Sequence, residues 1–132
     1  MNVLHLTHTD INSDSRILKE LESLSKNKKV RITALGVHMN EENKKYKKIE
    51  HVKIYSINLN SRKLIFLPAF IKHSLSVIEL TLKMIFNSFK AKPSIIHCHD
   101  TLVLPLGVLV KLFTGSKLIY DAHELESNRN GL

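Results

Sequence analysis

The stretch Pro93 to Asp100, PSIIHCHD, decides the fold. Its middle, Ser94 to Cys98, is a short apolar run that ends abruptly in polar groups. A run this short, rich in isoleucine, reads as a strand buried on both faces, the kind found in parallel sheets. Helical patterns flank it. Upstream, Leu67, Ile71, Leu75, Ile78, Leu82, Ile85 and Phe89 recur every three or four residues. Pro68 lies near the start of that segment, where proline is tolerated. Pro93 closes it, just past Lys90 and Lys92. Downstream, Leu102 to Phe113 reads as an apolar helix with Gly115 as its terminating residue.

The same alternation extends towards both ends. Asn2 to Thr7 (NVLHLT) is a strand, and Ser13 or Asp14 is placed to cap the helix that follows. Ile17, Leu21 and Leu24 recur at helical spacing, with Leu18 widening the stripe, and the helix ends near Lys26 to Lys29. Val30 to Val37 is a second strand. His38 to Glu50 has no apolar periodicity and reads as a loop. His51 to Leu59 is a third strand, followed by a turn at Ser61 to Lys63. Lys117 to Asp121 is a fifth strand, after which the chain runs through AHELESNRNGL. Strands alternating with helices predict a single α/β domain over 1–132. Its sheet is Rossmann-like, open and mostly parallel, with about five strands and flanking helices.

Composition narrows the function classes. The formal charge of +8 favours anionic partners. Lysines gather at 26, 28 and 29 and again at 44, 45, 47 and 48, which also fits solvated loops. Aromatic residues are not interleaved with them, so nucleic acid is not expected. A single cysteine, Cys98, excludes an internal disulfide and fits a reducing, cytoplasmic setting. Its expected role is that of a small buried hydrophobe. The N-terminus lacks a basic region followed by a long apolar core, so no signal peptide is read. Lys72, Glu79 and Lys83 interrupt the apolar stretch from Leu64 to Phe89, so no membrane span is expected.

In open parallel sheets, ligands bind beyond the carboxyl ends of the strands. Three predicted strand ends carry polar clusters: His8, Thr9, Asp10, Asp14 and Arg16; His97, His99 and Asp100; Asp121, His123 and Glu124. Bland readings compete. Asp14 and Asp100 suit helix capping, and His97 suits a satisfied core histidine. His99 and His123 follow their strands and point more to a site. His97, His99, Asp100 and His123 are also the right types for a metal-dependent hydrolase, but the longer motifs that would specify one are absent. No glycine-rich phosphate loop follows the first strand, although the helix start beside Arg16 can accept an anion.

Three runs in order, DSRILKE (Asp14 to Glu20), PSIIHCHD (Pro93 to Asp100) and LIYDAHEL (Leu118 to Leu125), resemble the amino-terminal domain of GT-B-fold glycosyltransferases. The similarity is to the retaining group known as family 4, and it covers nearly all of the chain. It implies transfer of a sugar from a nucleotide-sugar donor to a glycan or lipid-linked acceptor, with no metal and no cofactor beyond the donor. His123 matches the histidine that faces the transferred sugar. Asp14, Arg16, His99, Asp100 and Glu124 match positions on the acceptor side. Two features depart from the pattern. The first loop, His8 to Ser13, has no glycine. The donor-binding domain with its paired glutamates does not follow within the chain, so a carboxy-terminal domain or a complementing chain is expected, and the isolated chain is expected to be inactive. The long helix, with Lys72, Lys83, Lys90 and Lys92 beside its apolar face, is expected to pack on the sheet. Peripheral contact with an anionic membrane is a second expectation. An incomplete sheet edge makes self-association a third.

Overall fold

The computed structural model describes residues 1–38 and 49–121. Strand β1 (Asn2–Leu6) leads through a 3-10 turn (Ile11–Ser13) into helix α1 (Ser15–Ser25). Strands β2 (Arg31–Val37) and β3 (Val52–Ile57) follow, then a 3-10 turn at Asn60–Lys63 and the long helix α2 (Ala69–Ala91). Strand β4 (Ile95–Cys98), helix α3 (Leu104–Thr114) and strand β5 (Lys117–Tyr120) complete the described chain. The strands form one sheet in the order β3-β2-β1-β4-β5, and every pairing is parallel. The α/β, Rossmann-like expectation is met. All strands therefore deliver their carboxyl ends to one edge.

Side-chain alternation divides the core into two layers. Leu4, Leu6, Leu35, Val37, Ile96 and Cys98 face α2 and α3 and pack on Met84, Leu106 and Val110. Val3, Ile32 and Ala34 face α1 and pack on Ile17 and Leu21. Gly107 lets α3 approach β4, since a Cβ there would run into Cys98 Sγ and the Leu118 side chain. Gly115 ends α3 in the left-handed conformation, φ 72°. Cys98 is fully buried, and burial pushes its thiol up to about 12, so it behaves as the small hydrophobe expected.

Helix α2 presents a different face to the sheet from the one its spacing predicts. Ile71, Leu75, Ile78, Leu82 and Phe89 are exposed. The row Ser76, Met84 and Ser88 is buried instead, with Leu80 half-buried between them. Lys72, Glu79, Lys83 and Lys90 share one side of the helix, and Glu79 accepts the Asn60 and Ser61 amides while Lys83 donates to the Asn58 carbonyl, so these bonds set the rotation of the helix and leave its apolar stripe outward. The sheet beneath already carries large aliphatic side chains, and close packing there admits small residues and a methionine.

Candidate functional site at the carboxyl edge

The first loop is fastened without glycine of its own. Asp10 caps the 3-10 turn, accepting from the Asn12 amide at 3.1 Å. Ile11 turns inward and is buried. The room is made on β2, where Gly36 lies under the loop; a Cβ there would meet Ile11 Cγ1 and the Thr9 carbonyl oxygen at 2.8 Å. The Val37 amide donates to that same oxygen at 3.0 Å.

Asp14 caps α1, accepting from the Arg16 and Ile17 amides at 3.0 and 3.4 Å. Burial raises its pKa, but the Arg16 guanidinium and the Ile17 amide outweigh this and hold the carboxyl below its usual range. Arg16 contacts Asp14 at 3.4 Å and projects into solvent. Asp100 is nearly buried. Its Oδ2 accepts from the Thr7 hydroxyl at 3.0 Å and the His8 amide at 2.9 Å, and lies 2.8 Å from His8 Nδ1. Its Oδ1 accepts from the Val103 amide at the start of α3, at 3.1 Å. Burial again raises the pKa, and the His8 amide and ring with the Thr7 hydroxyl more than offset it, so the group stays ionised to low pH.

His99 does not join Asp100 in those bonds. It belongs to a stack of imidazoles on the α1 side of the sheet. His5 and His97 are register partners across β1 and β4. The rings of His97 and His99 stack at 4.2 Å, and each lies 5.1 Å from His5. His5 Nδ1 is 2.8 Å from His99 Nε2. His97 Nδ1 is 3.0 Å from Glu20 Oε1 on α1. Burial, with His99 and His97 beside it, drops His5 to about 3. Burial and His97 drop His99 to about 4, against the pull of Asp121 and other carboxylates. His5 and His99 are therefore neutral at pH 7.

Of the expected site residues, Asp14, Arg16, His99 and Asp100 meet at this edge, while His123 and Glu124 lie outside the described residues. Of the hydrolase set, His97 and His99 come together, Asp100 is engaged elsewhere and His123 is not described. His5 and Glu20 were not singled out from sequence. The signal for His5 was a histidine in a buried strand directly between Leu4 and Leu6, which define the opposite face.

A five-stranded parallel sheet with helices on both faces and its polar groups on one edge defines an open, Rossmann-like α/β domain. Among solved structures, the fold matches that of MurG from Acinetobacter baumannii, a GT-B glycosyltransferase. The match has a TM-score of 0.57 at 14% identity and covers 90% of this chain and 34% of that one. At that identity the likeness concerns the fold. No protein-family model matches the sequence, and no curated protein matches it.

Proposed function

We propose that the chain is the amino-terminal, acceptor-side part of a retaining glycosyltransferase of the family 4 kind. It moves a sugar from a nucleotide-sugar to a glycan or lipid-linked acceptor. The observation that carries this reading is the meeting of two distant motifs on one edge. DSRILKE and PSIIHCHD bring Asp14, Arg16, His99 and Asp100 to the carboxyl end of a sheet whose fold matches a GT-B domain. In this reading Arg16 and the α1 N-terminus face the anionic side of the cleft, and electrostatic support of the departing diphosphate is the main catalytic contribution. In the roles the resemblance implies, His123 serves the transferred sugar and Glu124 binds substrate. The donor-binding half comes from a further domain or a complementing chain, consistent with a match that spans a third of MurG.

The test pairs this chain with a matching donor-binding domain and measures transfer from labelled nucleotide-sugars. Transfer by the pair, none by the chain alone, and loss in His123→Ala are the expected results. Robust turnover by the 132 residues alone would overturn the proposal.

A lipid-linked acceptor places the protein at a membrane surface as a peripheral component. Among the described residues no helix is long and apolar enough to cross a membrane. The favouring observation is the outward face of α2 and the segment before it, where Phe66, Phe70 and Phe86 are 85%, 82% and 69% exposed.

A further inference from the structure

We propose that Glu20, His97, His99 and Asp121 form a binding site for a divalent d-block cation of the zinc type. One donor atom from each of the four lies within 4.8 Å of the others. They come from α1, β4 and the ends of β4 and β5, so the fold assembles them from distant points in the chain. Two imidazole nitrogens and two carboxylate oxygens form a borderline set that suits zinc and its neighbours better than magnesium or calcium. A tetrahedral ion with bonds of about 2.1 Å holds its donors roughly 3.4 Å apart. Closing the cluster onto an ion is thus a movement of roughly 1 Å, within the reach of side-chain rotation.

The hydrogen bonds inside the cluster supply an independent argument. Glu20 Oε1 lies 3.0 Å from His97 Nδ1, close to the roughly 3.4 Å spacing of two ligands on one tetrahedral ion. His5 and His99 share one hydrogen between Nδ1 and Nε2, 2.8 Å apart. Whichever ring donates, one more lone pair is left over, on His5 Nε2 or on His99 Nδ1. His5 Nε2 is buried, in a residue only 1% exposed, and has no hydrogen-bond partner among the described residues. One nitrogen from each of His5, His97 and His99 also lies within 4.8 Å of the other two. The three rings in contact thus include a buried ring nitrogen that the described residues leave unpartnered, and a cation among them supplies a partner. His5 stands behind His99, its Nδ1 2.8 Å from His99 Nε2, as the partner that orients that ring. The ion fastens α1 to the ends of β4 and β5. This departs from the metal-free expectation that the family resemblance carries, and it does not depend on the transferase reading.

The experiment uses the full, untagged chain stripped with EDTA. It is titrated with zinc chloride and, in parallel, magnesium chloride, reading bound metal by elemental analysis and the melting temperature. One zinc per chain and a raised melting temperature are expected with zinc, and neither with magnesium. Glu20→Gln and Asp121→Asn are each expected to weaken zinc binding by about tenfold or more while keeping the far-UV circular dichroism of the parent. His73→Ala, on the exposed face of α2, is expected to bind like the parent. Substoichiometric zinc in the parent, or undiminished binding in both carboxylate variants, would overturn the site. Each readout is independent of sugar transfer, so failure here and failure of the proposed function are distinguishable.

Discussion

The Asp100 carboxylate accepts the backbone amide of His8 at 2.9 Å, so the loop after β4 is fastened to the loop after β1. The same carboxylate holds the Thr7 hydroxyl and the Val103 amide. Removing it leaves buried donors without partners, each costing about 1–3 kcal/mol. Asp100→Ala is expected to lower the unfolding free energy by roughly 2–4 kcal/mol in urea titrations, with Asp100→Asn losing less because one acceptor remains. An alanine variant within about 0.5 kcal/mol of the parent would show that the clamp is not made in solution.

The imidazole stack makes stability depend on pH. His5 and His99 titrate at about 3 and about 4 when folded, while an unfolded histidine titrates near 6.5. Both folded values are depressed, so as pH falls the unfolded chain takes up protons first. Their contribution is present above pH ~6.5 and is lost progressively between there and pH ~3. Asp100 acts with the same sign in a lower window, below the ordinary carboxylate value. For EDTA-treated protein, the urea midpoint is expected to drop between pH 7 and 4.5. His5→Leu removes one of the titrating rings and is expected to make that drop shallower. A parent midpoint that stays flat over this range contradicts the buried, neutral state of His5 and His99.

Most of the framework was readable from residue patterns. Ser94 to Cys98 and Lys117 to Asp121 announced themselves as strands by short apolar runs ending in polar groups, and observed bounds differ by a residue or so. Asp14 as a cap was equally visible, because its side chain acts within its own turn. Relationships that depend on three-dimensional placement were not. His5 within NVLHL looked like an ordinary core residue until the β1–β4 register put it beside His97. Glu20 was visible only as the last residue of the DSRILKE run, and its partner emerges only where α1 lays it against the same ring. The inner face of α2 departs from its apolar stripe because Glu79 and Lys83 tether the helix to the Asn58 to Ser61 segment, a contact that periodicity does not reveal. The loop from His38 to Glu50 lies largely outside the described residues, as do His123 and Glu124.

Gly36 carries the close approach that the first loop lacks glycines to make itself. The atoms a Cβ would meet at 2.8 Å include the Thr9 carbonyl oxygen, a backbone atom already bonded to the Val37 amide, and so unable to retreat cheaply. Gly36→Ala is expected to destabilise the protein by about 1–3 kcal/mol, the range for overpacking a tight site. Amide exchange should also quicken in the loop at Thr9 to Ser13 ahead of the rest of β1. A variant as stable as the parent, with unchanged exchange, would mean that the loop does not rest on β2.

The outward face of α2 determines whether the protein works at a membrane surface. Phe66, Phe70 and Phe86 expose their rings, and Phe113 on α3 continues the apolar surface, its ring 6.1 Å from Phe89. Exposed apolar patches of this kind mark contact surfaces. A fully buried phenylalanine contributes about 1.5–3 kcal/mol, so partial insertion of one ring corresponds to a change in affinity of roughly tenfold. The formal charge of +8 adds attraction to anionic lipids that salt screens. The chain is expected to float with vesicles containing phosphatidylglycerol, less with phosphatidylcholine alone, and less again as salt rises. Phe66→Ser with Phe70→Ser is expected to reduce flotation at least tenfold at unchanged melting temperature. If that pair leaves flotation intact, the charge alone brings the protein to lipid. If the parent fails to float but self-associates, and the pair abolishes the association, the face belongs to a protein contact and the membrane reading falls.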